Sequence, residues 1–281
     1  MKRTRLLLLG LVLVVCSIPI GPRHAALAHN AVASRRILFI GNSYTYFNNL
    51  PRLVAGMAES AHESLETEMV VVGGATLKKH WEDGKAAAAI KRGGWDYVVL
   101  QEQSLLGSPL QAVPRVNDPK MFHEYARLFD AEIKKVKART VFFMTWARRN
   151  LPETQDLLVD AYESIAKELH AIVVPVGLAW QAALKRNPNL VLHQLDMSHP
   201  TPAGSYLAAC VFYSTLYDKT SLGLTSRIIG RPIDVAGRVQ GGSDASGSGA
   251  GSELVNVGKP DAELLQRVAW QAVEDEKRRA R

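Results

Sequence analysis

The chain has 281 residues, 47% of them apolar, with 34 Lys plus Arg against 27 Asp plus Glu and a formal charge of +7. This composition excludes a disordered or collagen-like chain, two cysteines exclude a disulfide-stapled miniprotein, and the length suits one large domain or two small ones. Four of the positive charges (Lys2, Arg3, Arg5 and Arg23) fall in the first 28 residues, which contain no acid, and four more (Lys277, Arg278, Arg279 and Arg281) fall in the last five. Residues 29–276 are therefore left with −1, and no basic groove for nucleic acid is expected.

Residues 1–5 are basic and 6–20 form an almost unbroken apolar run, the pattern of a secretory signal peptide. The run is shorter than the roughly 20 residues that span a bilayer. Ala26-Leu27-Ala28 presents small residues at −3 and −1, which predicts a signal peptide over 1–28 cleaved after Ala28. Export to the periplasm or medium follows, with no stable membrane anchor after cleavage. Val14 and Val15 stand before Cys16 where lipoprotein sites usually carry small residues, and the mature chain keeps only Cys210.

From residue 36 the pattern alternates. Residues 36–40 (RILFI) read as a buried strand ended by Gly41-Asn42, and Leu50, Leu53, Val54, Met57, Ala58 and Ala61 recur at helical spacing. Strands are predicted at 69–72, 97–100, 140–145 and 172–176, with helices over 81–92, 122–136, 157–169 and 206–216. Five short apolar strands separated by amphipathic helices predict an α/β fold: a three-layer α/β/α sandwich around a five-stranded parallel sheet. Residues 29–236 form this domain. Residues 237–252 are rich in Gly and Ser and read as a flexible loop; 253–281 supply one more amphipathic helix expected to pack on the same domain.

Ligands of open parallel sheets bind beyond the carboxyl ends of the strands. Those positions hold Gly41-Asn42-Ser43-Tyr44-Thr45, Gly73-Gly74-Ala75-Thr76, Gln101-Glu102-Gln103-Ser104 and, after the fifth strand, Asp196-Met197-Ser198-His199-Pro200. Each has a bland explanation: Gly-Asn-Ser is ordinary turn chemistry, Gly-Gly a bend, Asp-x-x-His a helix cap, and the glutamines surface amides. Their order raises them above it, with serine first, donors next, and acid with base last. Trp146 and Arg148 follow strand four and face the same crevice, as candidate pocket residues or as a packed Trp and a solvated Arg. Tyr44 and Tyr46 follow the serine closely, as candidate pocket residues in contact with substrate or as a cover over the nucleophile. His80 and Trp81 are further candidates for the pocket wall, while Met197 is expected to pack beneath its loop and Cys210 to fill the core.

With these blocks the chain resembles the SGNH (GDSL-type) hydrolase superfamily from residue 37 to about 216. The resemblance implies Ser43 in ILFIGNS as nucleophile, and Asp196 and His199 in LDMSHP as acid and base. It implies Gly74 in VVVGGAT as an oxyanion-hole donor beside the Ser43 N–H. The family's third block is usually Gly-x-Asn-Asp. Here LQEQS stands in its place, and either Gln101 or Gln103 can offer the amide. Thr45 replaces the second glycine of a Gly-x-Ser-x-Gly elbow, which disfavours the α/β-hydrolase arrangement. The implied activity is ester hydrolysis through a Ser43 acyl-enzyme, with no metal or organic cofactor and a small-molecule or glycan ester as substrate. Two other readings stay open. His193, Asp196 and His199 fall at i, i+3 and i+6, a spacing compatible with metal-assisted hydrolysis. The fold can also persist as a non-catalytic glycan-binding module.

Overall fold

The computed structural model describes residues 34–107, 118–234, 237–238 and 251–280. The predicted signal peptide and most of the Gly/Ser-rich stretch lie outside the described residues. The central sheet contains β1 (Arg35–Gly41), β2 (Leu65–Val71), β3 (Tyr97–Leu100), β4 (Arg139–Phe143) and β5 (Ile172–Val174), in the order β2-β1-β3-β4-β5 and parallel throughout.

Side chains alternate between the two faces of each strand. Ile37 and Phe39 of β1, Val99, Val141 and Phe143, and Val174 face α2 (Leu50–Ser60), α7 (Val176–Arg186), α8 (Pro202–Tyr217) and α9 (Lys259–Arg279). Leu38, Ile40, Val98, Leu100 and Phe142 face α3 (Leu77–Asp83), α4 (Lys85–Lys91), α5 (Pro119–Lys135) and α6 (Gln155–Leu169). Because both faces are covered, the inner strands read as continuous apolar runs. β2 is an edge strand, and its first half (LETE) carries the exposed Glu66 and Glu68, so the apolar signal begins four residues late. α8 runs through the core with 13 of its residues buried, among them Cys210, whose thiol burial pushes up to about 12. Leu265, Val268, Ala269 and Val273 of α9 join the core on that side.

Three elements differ from the sequence expectation. The helix predicted over 81–92 is two helices, α3 and α4, divided where Gly84 takes the left-handed conformation (φ 71°). The fifth strand stops at Val174, because Pro175 stands at the N-cap of α7, whose Val176, Ala179, Trp180 and Ala183 form a buried helical stripe. An antiparallel pair, β6 (Arg227–Gly230) and β7 (Ser252–Asn256), adds a small second sheet. Ser252 therefore belongs to a strand and not to the Gly/Ser-rich loop. Ile228 of β6 packs on α2 at Gly56, where a Cβ would lie 2.7 Å from its side chain.

Candidate active site at the carboxyl edge of the sheet

β1 ends at Gly41, and the chain turns at once into a short helix, α1 (Ser43–Tyr46). Gly41 is required by crowding: a Cβ there would stand 2.4 Å from Thr45 Oγ1 and 2.5 Å from Gln101 Oε1. Asn42 caps α1 through Oδ1, which accepts from the Tyr44 N–H (3.1 Å), while its Nδ2 donates to Ala75 O (3.0 Å). Ser43 is thus held at the first turn of a helix between the ends of β2 and β3.

The second side of the site is the loop from His193 to Thr201, which enters α8 through the Thr201 cap and Pro202. Asp196 Oδ1 accepts the N–H groups of Ser198 and His199 (both 2.9 Å), and Oδ2 lies 2.5 Å from His199 Nδ1. His199 Nε2 lies 2.8 Å from Ser43 Oγ. With the carboxylate accepting a hydrogen bond from Nδ1–H, Nε2 presents its lone pair and the serine hydroxyl donates to it. Burial pushes the Asp196 pKa up, but hydrogen bonds from the His199 ring and from the two backbone N–H groups outweigh it and hold the carboxyl below its ordinary range.

Aromatic packing fixes this hydrogen-bonded chain. The Phe47 ring stacks on the His199 ring at 4.2 Å and 13°, and Tyr44 meets its edge at 5.8 Å. Tyr44 stacks on Trp146 (4.5 Å), and Trp146 on Trp180 (4.1 Å). Tyr44 Oη is 2.8 Å from Ser198 Oγ, and Trp146 Nε1 donates to Ser198 O (3.0 Å). Asn48 is in the left-handed conformation (φ 53°), which asparagine tolerates better than most residues, and its Nδ2 donates to Pro200 O and Ser205 Oγ. Nucleophile loop and base loop are therefore tied at several points.

The described residues correct several sequence expectations. Tyr44 and Trp146, expected to line the pocket, are only 4% and 1% exposed and support the base loop from beneath. Tyr46 is likewise buried, stacked on Phe47. His80 is buried with Nε2 donating to Gly41 O (2.8 Å), so it supports the nucleophile turn instead of forming a pocket wall. Trp81 packs its ring edge-on against Phe129. Met197 does not pack beneath the loop: it takes a positive φ of 62° at a tight turn and is exposed. The metal reading does not fit. His193 Nε2 donates to Ala147 O (3.1 Å) and Nδ1 accepts from Trp180 Nε1 (3.4 Å), so neither nitrogen is free, and the His199 nitrogens face Asp196 and Ser43. Burial lowers the His193 pKa, consistent with this neutral role.

The two glutamines separate clearly. Gln101 is fully buried; its Oε1 accepts from Asn42 N (2.8 Å) and Thr45 Oγ1 (2.9 Å), and its Nε2 donates to Glu102 O (2.5 Å). It locks β3 to β1 and does not offer an amide to a ligand. Gln103 Nε2 donates to Gly74 O (2.5 Å), which sets the third-block amide beside the second-block glycine and leaves its second N–H available. The N–H groups of Ser43 and Gly74 find no acceptor among the described residues. Arg148 is half-buried, and its Nε is buried without an acceptor among the described residues.

No protein-family model matches the chain, and no curated protein matches it. Solved structures do. A DUF4886 family protein from Bacteroides uniformis superposes with a TM-score of 0.60 at 16% identity, over 86% of this chain and 95% of its own. An acetyl xylan esterase, AlAXEase, gives 0.53 at 14% identity over 64% and 98%. A lipase/acylhydrolase from Enterococcus faecalis gives 0.52 at 15% over 66% and 96%. The fold, a five-stranded parallel sheet between two layers of helices, is the one these solved structures share. Ser43, Gly74, Gln103 and His199 lie at the edge of the sheet where its strands end.

Sequence reasoning missed Phe47, Asn48 and Glu102 as parts of the site. Phe47 and Asn48 sit four and five residues after Ser43, and only the return of the chain at α8 brings His199 and Pro200 against them. Glu102 stands inside the third block, and its signal was a carboxylate between two glutamines in an otherwise apolar strand end.

Proposed function

We propose that this protein is a serine esterase that works through a Ser43 acyl-enzyme. The observation that carries the reading is the unbroken hydrogen-bonded chain Asp196–His199–Ser43. The fold shared with esterases and lipases supports it. His199 Nε2 takes the Ser43 proton as Oγ attacks the ester carbonyl, and Asp196 holds the imidazolium that forms. The N–H groups of Ser43 and Gly74 and the free amide N–H of Gln103 receive the oxyanion. Each such donor is worth about 2.7–4 kcal/mol of barrier. His199 then protonates the departing alkoxide, and water attacks the acyl-enzyme by the same route in reverse.

The substrate class is a small-molecule or glycan ester. The acetyl xylan esterase neighbour acts on an acetylated polysaccharide by its own name, and an exported enzyme meets such material. Export follows from the signal-peptide pattern over residues 1–28, with cleavage near Ala28.

One experiment tests the activity: the mature chain is offered p-nitrophenyl acetate, then a fluorophosphonate probe, beside Ser43→Ala. Turnover by wild type with labelling at Ser43, and loss of both in the variant, is the expected result. Wild type that neither turns over ester nor labels overturns the reading. Glycan binding retained by both proteins would then favour the non-catalytic module.

A further inference from the structure

Glu102 takes no part in the proton transfers above, yet its carboxylate is 3% exposed and lies within the framework of the site. Oε2 accepts the N–H of Leu77 (2.9 Å), and Oε1 accepts the N–H of Gln103 (2.9 Å). Leu77 is the first residue of α3, three positions after Gly74; Gln103 carries the third-block amide. A single carboxylate thus spans the two loops that hold the candidate oxyanion donors. Its backbone is anchored as well, with its N–H donated to Tyr162 Oη (2.9 Å) and its carbonyl accepting Gln101 Nε2. No cation pairs with it among the described residues. A buried, unpaired carboxylate is costly to keep and contributes little to stability.

We infer that Glu102 is a positioning residue for the oxyanion hole, its ionised carboxylate fixing the Gly74 loop against Gln103; this rests on the esterase reading. The ionised form offers both oxygens as strong acceptors to these N–H groups, whereas protonation makes one oxygen an O–H donor and a weaker acceptor. Burial pushes the Glu102 pKa up to about 7, against the two backbone N–H bonds that lower it. The titratable group facing it is the Tyr162 hydroxyl of α6, which burial keeps neutral. From α3 it meets the Leu77 N–H, and the titratable His80 of that helix is turned to Gly41 O. Its β3-side neighbours Gln101 and Gln103 do not titrate. Protonation of Glu102 therefore adds one further ionisation to the acid limb of the pH profile.

The test is the pH profile of kcat/KM for p-nitrophenyl acetate, with chemistry limiting, in wild type and Glu102→Gln, together with fluorophosphonate labelling of Ser43. The wild-type acid limb should steepen to two decades per pH unit. Glutamine offers one acceptor oxygen and turns an NH2 to the other N–H. The folded variant should therefore lose about 10²-fold in kcat with KM within about twofold, and its acid limb should fall one decade per unit. A variant within twofold of wild type with the same limb would overturn the assignment and leave the esterase reading intact. If the variant does not fold, the wild-type limb decides, since a slope of one throughout refutes the inference. Wild type with neither turnover nor labelling removes the esterase reading, and this inference with it.

Discussion

Replacing Asp196 by asparagine isolates the electrostatic part of the site from its architecture. Asparagine keeps an oxygen for the N–H groups of Ser198 and His199, so the turn that presents the base survives. What changes is the atom facing His199 Nδ1, now 2.5 Å from a carboxylate oxygen. An amide N–H there requires a lone pair on Nδ1, which moves the ring proton to Nε2, where it faces Ser43 Oγ and blocks proton acceptance. In a buried triad this exchange costs about 10⁴ in kcat. Here the Asp196 side chain is 46% exposed and the His199 side chain 27%, so solvent weakens both terms. The attraction between imidazolium and carboxylate at about 4 Å ranges from about 1 kcal/mol in water to about 4 kcal/mol near a protein surface. A loss of about 10³-fold in kcat/KM follows, about 4 kcal/mol of barrier. The assay is hydrolysis of p-nitrophenyl acetate between pH 6 and 9, with thermal unfolding run in parallel. Activity within about threefold of wild type at an unchanged melting temperature would refute the role given to Asp196.

The glutamines should behave oppositely. Gln103→Ala should lower kcat by about 10²–10³-fold with stability near wild type, whereas Gln101→Ala should destabilise by about 2–4 kcal/mol in urea unfolding, because it orphans buried groups of Asn42 and Glu102. Phe47→Ala removes the ring stacked on His199; a fall in kcat of about tenfold is expected from a looser imidazole, and an unchanged rate would show that the stack is passive. Glu102 also predicts a stability slope. Its pKa rises from about 4.5 unfolded to about 7 folded, so between these values the folded chain holds a proton that the unfolded chain releases. Stability should therefore fall with rising pH by up to about 3 kcal/mol over that window. Glu102→Gln should remove that share of the slope, measured as the difference between unfolding free energies at pH 4.5 and 7. The buried Glu276, raised in the same direction, leaves a residual slope in both proteins.

Much of this architecture was legible in the sequence, because inner parallel strands have no polar side and announce themselves as apolar runs ended by Gly or a polar block. All five central strands and most of the helices were read that way, though α7 was not, and Ser43, Asp196 and His199 were singled out by the order of the blocks and the family resemblance. The edge strand β2 was read short because half of it faces solvent, and β6–β7 was missed because two short strands are stabilised by a pairing more than 20 residues apart in sequence.

The sequence by itself determined which chemical groups stand at the strand ends and in what order, since the chain's alternation of strand and helix dictates that order. Tertiary structure alone decided which of them meet. Gln101 and Gln103 are two residues apart in a strand end, so one side chain turns into the β1–β3 seam and the other toward Gly74. Tyr44 and Trp146 follow their strands, as pocket residues would, but stacking on Trp180 draws them under the base loop. Phe47 and Asn48 gain meaning only when α8 carries His199 and Pro200 back across the sheet. Glu102 is a charge that no local pattern explains; its role rests on two backbone N–H groups delivered by separate loops, a coincidence of three-dimensional packing that composition and spacing do not encode.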